Sequence, residues 1–447
     1  MGLESGSDLA LDLEKYHLTL SNVHVTRDTG KVTEVTGLVI KGYLPGAAIG
    51  STVEIRATGR DEVFSAEAVG FEDKTVVMMP YGNVRGVGLG ARILLSRSVA
   101  TVKVSEQLLG RVIDGLGQPI DKKPKIESAR EVRLYGEVRN PLARRPITQL
   151  LDLGVRSLNG LVTVGCGQRI GILAGSGVGK SVLIGMISRY TQADVNVIAL
   201  VGERGRELRE FLEKDLGSEG LKKSVVVVAT SDQSPLLRMR AAYVATAISE
   251  YFSAQGKNVL LMMDSITRFA MAQREIGLSV GEPPATKGYT PSVFSTLPKI
   301  LERAGSFEGE GSITGLYTVL VEGDDLDDPI GDSVRSIVDG HVILSRSLAQ
   351  RGHFPAVDIL QSSSRVMRSV IGSDHADLAI KAREMLAIYK DAEDLINIGA
   401  YKPGANPKID KAIRVNESLT KFLRQAVEEP SSMEETLSRL KSTMAQV

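Results

Sequence analysis

The amino-acid sequence predicts an α/β protein whose mostly parallel sheet has helices on both faces, with a small β-barrel before it and a helical domain after it. Strand-like and helix-like runs alternate between residues 169 and 344, strands alone are predicted from about 24 to 96, and strand patterns stop after about residue 372. A glycine-rich loop joins the first strand of the alternating region to its first helix. We therefore expect four segments, 1–22, 23–97, 98–372 and 373–447.

Composition is that of an ordinary globular protein. The 447 residues are 43% hydrophobic and 24% charged, and 54 Lys and Arg balance 54 Asp and Glu, so no basic excess favours nucleic acid. The single cysteine, Cys166, excludes an intrachain disulfide and fits a reducing cytosol. The first residues lack the pattern of a signal peptide, and no apolar run approaches the roughly 18 residues of a membrane span. We expect peripheral membrane contact at most.

The N-terminal segment has apolar residues at spacings of four, three and four, namely Leu9, Leu13, Tyr16 and Leu20. This spacing predicts one apolar stripe on a short helix. Such a helix either packs on its own domain or docks on a partner protein.

The barrel segment is rich in Val, Thr and Ile and is interrupted by turn residues. Several short strands separated by turns predict a small all-β barrel or sandwich, without a visible catalytic pattern. The predicted strands are 32–40, 52–56, 63–69, 75–79 and 91–95.

The α/β segment follows glycine turns at 109–117 and a linker that contains Pro124, Pro141 and Pro146. Apolar runs predict its strands, and helical periodicity predicts its helices. The strands are expected at 169–174, 195–201, 224–229, 258–263, 312–320 and 341–344, and the helices at 180–190, 207–216, 237–255, 292–304 and 332–337. Amphipathic helices at 375–399, 407–427 and 431–445 then close the chain.

The glycine-rich loop has the residue order that a phosphate-binding loop requires. Its glycines allow successive backbone N–H groups to face phosphate oxygens, and the helix N-terminus adds partial positive charge. Lys180 would reach the β- and γ-phosphates, and the Ser181 hydroxyl would ligate Mg²⁺. Ala174 stands where the usual motif opens with glycine, but the cradle keeps three glycines. The predicted phosphate-binding residues are Gly175, Ser176, Gly177, Val178, Gly179, Lys180, Ser181 and Val182.

Two acidic residues end buried strands of the same segment. Asp264 follows the apolar run 258–263, and Glu203 follows 195–201. The carboxyl edge of a parallel sheet is where such proteins hold their ligands. Asp264 either binds Mg²⁺ through water, as a Walker B acid does, or caps the helix that follows. Glu203 either orients an attacking water or is a solvated charge in a charged turn.

Longer motifs further specify the class of protein. They lie at 202–204, 263–268, 272–277, 281–289, 301–305, 322–330, 353–358 and 364–365. Together with the loop they resemble the catalytic subunits of rotary F/V-type ATPases and, more specifically, the type III protein-export ATPases, above all the flagellum-specific one. The resemblance runs from about residue 17 to the C-terminus, and it implies a RecA-like P-loop core that hydrolyses ATP with Mg²⁺.

The resemblance implies roles for the residues of the phosphate side. Lys180 and Ser181 look like the ligands of the phosphates and Mg²⁺, and Asp264 looks like the Walker B acid. Glu203 resembles the glutamate that polarises water in these enzymes.

Arginine and aromatic residues complete the implied site. Arg204 and Arg268 resemble arginines around the γ-phosphate, and Arg365 resembles an arginine finger supplied by a neighbouring subunit. Phe354 and Phe422 stand where the related enzymes stack aromatic rings on adenine. At Val427 the rotary enzymes have a further aromatic residue.

A finger supplied in trans makes activity depend on assembly. The resemblance therefore implies a homohexameric ring with the β-barrels as a crown. It also implies partners: a stator or regulator protein at the N-terminal helix, a central stalk protein, the export gate, and export chaperones and substrates, but no nucleic acid. The expected location is the cytoplasm, at the periphery of the inner-membrane export apparatus.

Other functions stay open at this point. The chain is alternatively an injectisome secretion ATPase or a subunit of a rotary ion-translocating ATPase, although residues 389–394 lack the acidic lever segment of the rotary enzymes. A nucleic-acid motor like the terminator Rho shares the core, but it favours a basic barrel with more aromatic residues. A non-catalytic ring subunit would lack one of Lys180, Glu203, Asp264 and Arg365, which are all present.

Overall fold

The computed structural model describes residues 28–57, 62–126, 129–136, 139–321 and 328–445. The docking helix predicted within residues 1–22 and most of the acidic motif at 322–330 lie outside the described residues. The chain divides into two compact units, the first ending at Val99 and the second beginning at Ala100. Within the described ranges, no helix is long and apolar enough to cross a membrane.

The first unit is a closed β-barrel. Its strands are β1 (Thr29–Thr36), β2 (Val39–Tyr43), β3 (Thr52–Arg56), β4 (Val63–Glu72), β5 (Thr75–Pro80) and β6 (Arg92–Arg97). They follow one another around the barrel in the order β1-β2-β5-β4-β3-β6. Alternate side chains face inward, and Val32, Ile40, Ile55, Met78 and Ile93 fill the interior.

The strand predicted at 32–40 is wrong as a single element. A turn at Gly37 and Leu38 divides it, and β1 and β2 pair antiparallel around that turn, with Thr36 opposite Val39. Gly37 has φ of 57°, which glycine adopts without the steric cost of a side chain. Strand-forming residues on both sides concealed the turn in the sequence.

The second unit is built on a nine-stranded sheet. The strands of this unit are β7 (Thr101–Val104), β8 (Arg111–Asp114), β9 (Arg130–Arg133), β10 (Leu150–Leu151), β11 (Val164–Gly165), β12 (Arg169–Ala174), β13 (Val195–Glu203), β14 (Ser224–Thr230), β15 (Asn258–Asp264), β16 (Gly305–Ser306), β17 (Ser312–Leu320), β18 (Gly340–Leu344) and β19 (Val357–Ser364). The main path is β19-β18-β12-β17-β15-β13-β14-β8, with β16 beside β17. Pairing is parallel except at β16 and β19, which are antiparallel to their neighbours.

Helices cover both faces of this sheet. They are α1 (Arg156–Leu161), α2 (Lys180–Tyr190), α3 (Gly205–Glu210), α4 (Gly217–Lys222), α5 (Pro235–Ser253), α6 (Ile266–Ser279), α7 (Pro291–Leu301), α8 (Pro329–Ile337), α9 (Arg346–Gln350), α10 (Met367–Val370), α11 (Ser373–Asn397), α12 (Pro407–Leu423) and α13 (Met433–Met444). On one face α2 places Leu183 and Ile187 in the same core as Ile198 and Leu260. On the other face α5 packs on β13, β14 and β15. The central strands are therefore almost fully buried.

Two edge strands, β8 and β19, are missing from the sequence prediction. Strand β8 lies among glycine turns, where Asp121 accepts hydrogen bonds from Arg111 Nε at 2.7 Å and from the Val112 amide at 3.1 Å. Strand β19 carries the polar run Gln361–Ser364 and, among the strands that the structure describes, pairs with β18 alone. Strand β8 has only four residues, and neither strand has a long apolar run, so both form because the neighbouring strand offers free backbone partners.

The C-terminal helices form, but the second is shorter than predicted. Helix α12 ends at Leu423 instead of residue 427, and residues 424–431 form a non-helical segment, the strap, that leads to α13. Arg156 donates hydrogen bonds to the carbonyl groups of Phe422 and Arg424, which a longer helix would need for its own bonds. Tertiary hydrogen bonds thus override the local periodicity.

Candidate active site

The carboxyl edge of the parallel sheet gathers the predicted catalytic residues. Because β12, β13 and β15 run parallel, Ala174, Glu203 and Asp264 at their ends share one edge. Helix α2 begins at this edge with Lys180. A cavity of about 850 Å³ lies here, and its walls include Gly175, Ser176, Gly177, Gly179, Lys180, Ser181, Val182, Glu203, Arg204 and Arg268. Val178 is buried beneath the loop.

The loop between β12 and α2 owes its shape to two glycines. Gly177 and Gly179 have φ of 77° and 93°, in the left-handed region that residues with side chains adopt only at a cost. Ala174, which departs from the usual motif, ends β12 in register with Leu320 and Leu344 and is buried. Its methyl group belongs to the buried hydrophobic core of the α/β unit.

Lys180 is the cation between the two predicted acids. Its Nζ bonds to Asp264 Oδ1 and lies 3.6 Å from Glu203 Oε1. The Thr318 hydroxyl donates to the same Asp264 oxygen at 2.8 Å, and Asp264 is only 3% exposed. A buried carboxylate needs partners of this kind, so the two donors fix its position.

The alternative role of Asp264, as a helix cap, is wrong. Helix α6 begins at Ile266, and Ser265 is its N-cap, because the Ser265 hydroxyl accepts a hydrogen bond from the Arg268 amide at 3.3 Å. The carboxylate of Asp264 is thereby free to face Lys180.

Glu203 has an unusual proton affinity. The pKa of its carboxyl is raised to about 7, first by burial and then by the negative charge of Asp264, and Lys180 opposes this shift only in part. Glu207 acts in the same direction as Asp264. A carboxyl with a pKa near neutrality is suited to accept a proton from water.

The two arginines predicted near the γ-phosphate both line the cavity. The Arg204 side chain is 81% exposed and lies 3.6 Å from Glu207. Arg268 lies against Gly202, where an added Cβ would approach the Arg268 Cβ to 2.9 Å. Its buried Nε has no hydrogen-bond partner in the part of the chain that the structure describes. An unpaired buried donor of this kind is uncommon in folded proteins.

Several residues of the site have no clear signal in the sequence. Thr318, from the middle of β17, holds Asp264, and the Thr267 hydroxyl accepts a hydrogen bond from the Leu320 amide at 2.9 Å. Arg274 and Arg346 also line the cavity. A threonine inside an apolar strand looks like any core residue, and only the pairing of β15 with β17 shows which carboxylate it meets.

The two aromatic residues predicted to stack on adenine have different environments. Phe354 is 45% exposed, and an added Cβ on Gly179 would lie 3.5 Å from its Cδ1. Phe422 is 5% exposed and packs on α1, where an added Cβ on Gly160 would lie 3.1 Å from its Cζ. The structure brings Phe354 to the loop and places Phe422 in the core, which corrects the expectation that both rings face the nucleotide. The reason is that Phe422 continues the buried face of α12 that contains Val415 and Leu419.

Arg365 lies at the opposite edge of the sheet. Strand β19 runs antiparallel to β18, so it begins near the loop, with Val357 opposite Leu344, and ends far from it. The Arg365 amide donates to the Asp339 carbonyl at 2.9 Å, and the Asp339 amide donates to the Arg169 carbonyl at 2.8 Å. Arg365 is therefore level with the beginning of β12, roughly 17 Å from its end at 3.3 Å per residue. The exposed arginine does not reach the Lys180 site of its own chain.

The donors at the carboxyl edge fit a magnesium ion. Mg²⁺ prefers oxygen ligands and is usually held by one or two protein groups together with phosphates and water. Ser181 is exposed in the first turn of α2, and Asp264 supplies a carboxylate that is bonded to the preceding residue, Lys180. Among the residues described, no group of three or more His, Cys, Asp or Glu side chains could hold a metal alone. This donor set suits a metal that arrives with a nucleotide.

A phosphate loop, a buried acid at the end of a neighbouring strand and a carboxyl poised near neutrality define a P-loop nucleotide hydrolase. Family models agree with this class. The chain matches the nucleotide-binding domain of the ATP synthase alpha/beta family over residues 154–364 and the T3SS EscN ATPase C-terminal domain over residues 371–442.

Individual proteins give a closer comparison. The chain is 53% identical to the flagellum-specific ATP synthase of Bacillus subtilis (strain 168), over 92% of this chain and 94% of the relative. The assembled ATPase EscN of the enteropathogenic E. coli type III secretion system has a similar structure, with a TM-score of 0.87 and 47% identity over 93% of this chain and 99% of that chain. EscN in complex with its central stalk EscO gives a TM-score of 0.85 and 46% identity over the same shares, 93% and 99%.

The chain belongs to the family of flagellum-specific ATP synthases and type III secretion ATPases. It is an ATP-hydrolysing P-loop enzyme of protein export. The predicted family is confirmed, and so is the predicted combination of β-barrel, RecA-like core and C-terminal helical region.

Proposed function

We propose that this chain forms a homohexameric ring that hydrolyses MgATP and drives chaperone release and substrate export in a bacterial flagellar type III apparatus. One observation carries the shared active site. Lys180, Glu203 and Asp264 meet at one edge of the sheet, whereas Arg365 of the same chain lies at the other edge. A neighbouring copy is therefore needed to complete the set of groups that phosphoryl transfer requires.

On the phosphate side, Lys180 and the backbone amides of residues 175–182 bind the phosphates. Ser181 and Asp264 would hold Mg²⁺, which supplies positive charge to the phosphate oxygens when it is bound. Glu203 orients the attacking water and accepts its proton, a role that its raised pKa supports.

Arginines supply the remaining positive charge. Arg204 and Arg268 line the cavity from the same chain, and Arg365 of the adjacent subunit stabilises the charge of the transition state. On the base side, the half-exposed ring of Phe354 stacks on adenine beside Gly179.

Self-assembly and a stalk partner are supported by the EscN structures, which show an assembled ATPase and its complex with a central stalk. We extend both properties to this chain. In the assembly, residues 1–22 dock a stator or regulator protein, and residues 23–97 form the crown. Residues 98–372 hydrolyse ATP, and residues 373–447 face the export gate with its chaperones and substrates. The complex is cytoplasmic and associates peripherally with the inner membrane.

The test is the Mg²⁺-dependent ATPase rate per subunit as a function of protein concentration. We expect the rate to rise with concentration, and both Glu203→Gln and Arg365→Ala to be inactive. An equimolar mixture of the two variants should recover part of the activity, because some interfaces then combine an intact Glu203 with an intact Arg365. A rate that is independent of concentration, together with an unaffected Arg365→Ala variant, would refute the shared site.

A further inference from the structure

The strap, residues 424–431, belongs to the C-terminal helical region and follows α12 directly. It nevertheless contacts the base side of the nucleotide site, near Phe354. The Gln425 amide donates a hydrogen bond to the carbonyl of Phe354 at 3.0 Å. This bond fixes the backbone of the residue whose ring faces Gly179. The position of that ring therefore depends on where the strap holds its peptide N–H.

The strap also contacts the helix that follows the phosphate loop. The Val427 carbonyl accepts hydrogen bonds from the Tyr190 hydroxyl at 2.9 Å and from the Arg189 guanidinium at 2.9 Å. Both residues belong to the last turn of α2, whose first residue is Lys180. The strap thus links the ring at the base side to the far end of the phosphate-loop helix.

The Gln425 side chain anchors the strap. It is only 5% exposed, its Oε1 accepts a hydrogen bond from the Arg156 amide at 2.8 Å, and its Nε2 donates to the Gly154 carbonyl at 2.9 Å and the Glu429 carbonyl at 2.7 Å. Both polar atoms of the buried amide are satisfied. An apolar side chain here would leave the Arg156 amide and two carbonyl groups without these partners.

Arg156 supports the same segment from α1. It is 3% exposed, its Nε donates to the Phe422 carbonyl at 2.9 Å, and its guanidinium bonds to the Arg424 carbonyl and to the Glu429 carboxylate. A planar guanidinium with several fixed donors holds the strap in one conformation more rigidly than a lysine would.

We propose that Gln425, supported by Arg156, is a positioning residue that sets the Phe354 ring for the nucleotide base and so determines base affinity without touching the substrate. The inference rests on the proposed function, in which Phe354 stacks on adenine. In this arrangement, different parts of the chain bind the two ends of ATP. The phosphates are bound at Lys180, and the base is bound at the Phe354 ring, which the strap positions.

The experiment compares ATP with a ligand that has no base. In the full-length chain, Gln425→Leu should raise the KM for ATP about tenfold, a loss typical of part of a base–aromatic stack, and should leave kcat within about twofold. Inhibition by magnesium tripolyphosphate, which engages only the phosphate side, should be unchanged. Ser431→Ala is the matched control, because it removes a buried side-chain bond of the strap, to Thr436 at 3.1 Å, without a link to Phe354.

A double-mutant cycle with Phe354→Ala shows whether Gln425 acts through the ring. Since the ring is absent from Phe354→Ala, adding Gln425→Leu should raise the KM for ATP no further. If Gln425→Leu does not fold, Gln425→Glu replaces it. That variant keeps an acceptor for the Arg156 amide and loses the two donated bonds, so it should also raise the KM for ATP, but by less than Gln425→Leu.

The outcomes distinguish the positioning role of Gln425 from the stacking role of Phe354. Equal loss of ATP and tripolyphosphate affinity, or additive effects with Phe354→Ala, would overturn the positioning role of Gln425. So would a rise in KM for Phe354→Ala without one for the Gln425 variants. An unchanged KM for Phe354→Ala would instead refute the stacking role in the proposed function, and this inference with it.

Discussion

The phosphate side and the base side of the nucleotide site are built in different ways. On the phosphate side, Lys180, Glu203 and Asp264 follow the ends of three parallel strands, so the topology alone brings them to one edge. On the proposed base side, the Phe354 carbonyl accepts a hydrogen bond from the Gln425 backbone amide, and the Gln425 side chain is bonded to Arg156, more than 260 residues away in the sequence. Parallel topology collects the functional groups of the phosphate side at one sheet edge, whereas the base side depends on a buried polar network.

Removing the central cation of the phosphate side should have the largest effect. We expect Lys180→Ala to lower the ATPase rate at least about 10³-fold, because the phosphates lose their charged partner and the carboxylates of Asp264 and Glu203 lose the ammonium between them. Steady-state rates and equilibrium nucleotide binding measure this loss. Lys222→Ala, which removes an exposed lysine paired with Glu219, should leave both unchanged.

The arginine at the opposite edge tests whether the phosphate side is complete within one chain. Arg365→Ala should lower kcat by about 10³-fold, with little change in KM, because a finger stabilises the transition state more than the bound substrate. The exposed Arg368 provides the comparison, and Arg368→Ala should retain activity. Equal losses for the two variants would point to a general effect of surface charge.

A smaller effect is expected from the hydroxyl group that holds Asp264. Thr318→Val keeps the shape of the buried side chain but removes the bond to Asp264 Oδ1. We expect the Mg²⁺ concentration that half-saturates nucleotide binding to rise about 10–100-fold, the usual result of losing a group that orients a metal ligand. Thr318→Ser should restore the affinity, and Thr314→Val, which removes the acceptor of the Gly167 amide in the same strand, serves as the control.

The smallest effect concerns pH and belongs to the phosphate side alone. With a Glu203 pKa of about 7, kcat/KM should rise up to about tenfold between pH 6 and pH 8 as the carboxyl loses its proton. The profile of Phe354→Ala should keep the same midpoint at a lower level. A shifted midpoint in that variant would show that the two sides are electrostatically coupled.

The raised pKa of Glu203 also makes stability depend on pH. Stability falls as pH rises, whereas activity increases. Because the folded chain binds this proton more tightly than the unfolded chain, the contribution of Glu203 to stability is full below about pH 4.5 and is lost as pH rises through about 7. The free energy of unfolding of Glu203→Gln should therefore exceed that of the wild type by on the order of 1 kcal/mol at pH 8 and should equal it at pH 4. This difference is smaller than the full pKa shift would give, because water reaches the carboxyl. Urea unfolding at the two pH values measures the difference.

The sequence predicts most of the fold because long apolar strands and amphipathic helices have strong periodicity. Strands β12 and β17 and helix α2 have the expected bounds. Strand β8 and the early end of α12 are not predicted because they depend on partners that are distant in the sequence, which local patterns do not contain. The turn at Gly37 is local, but the strand-forming residues on both sides of it conceal it.

Some residues of the candidate site are likewise predictable from local sequence, and others become evident only from the tertiary structure. Lys180, Glu203 and Asp264 are recognisable because loop and strand-end positions are local properties of the chain. Thr318 looks like any core residue until β15 and β17 are paired. The sequence does not distinguish Phe422 from Phe354 as a candidate for base stacking. Their different burial in the structure does.

The length of strand β19 determines how far Arg365 lies from the start of that strand. Its eight residues extend over roughly 26 Å and end at the residue before Arg365. Since side chains alternate between the faces of a strand, inserting one residue would turn the guanidinium to the other face of the sheet, whereas deleting two would keep the face and withdraw the group by roughly 7 Å. With Arg365 in its proposed role as a finger for the adjacent subunit, the length of this edge strand can change only in even steps, each matched by a change in subunit spacing. An ordinary surface segment, by contrast, tolerates insertions freely.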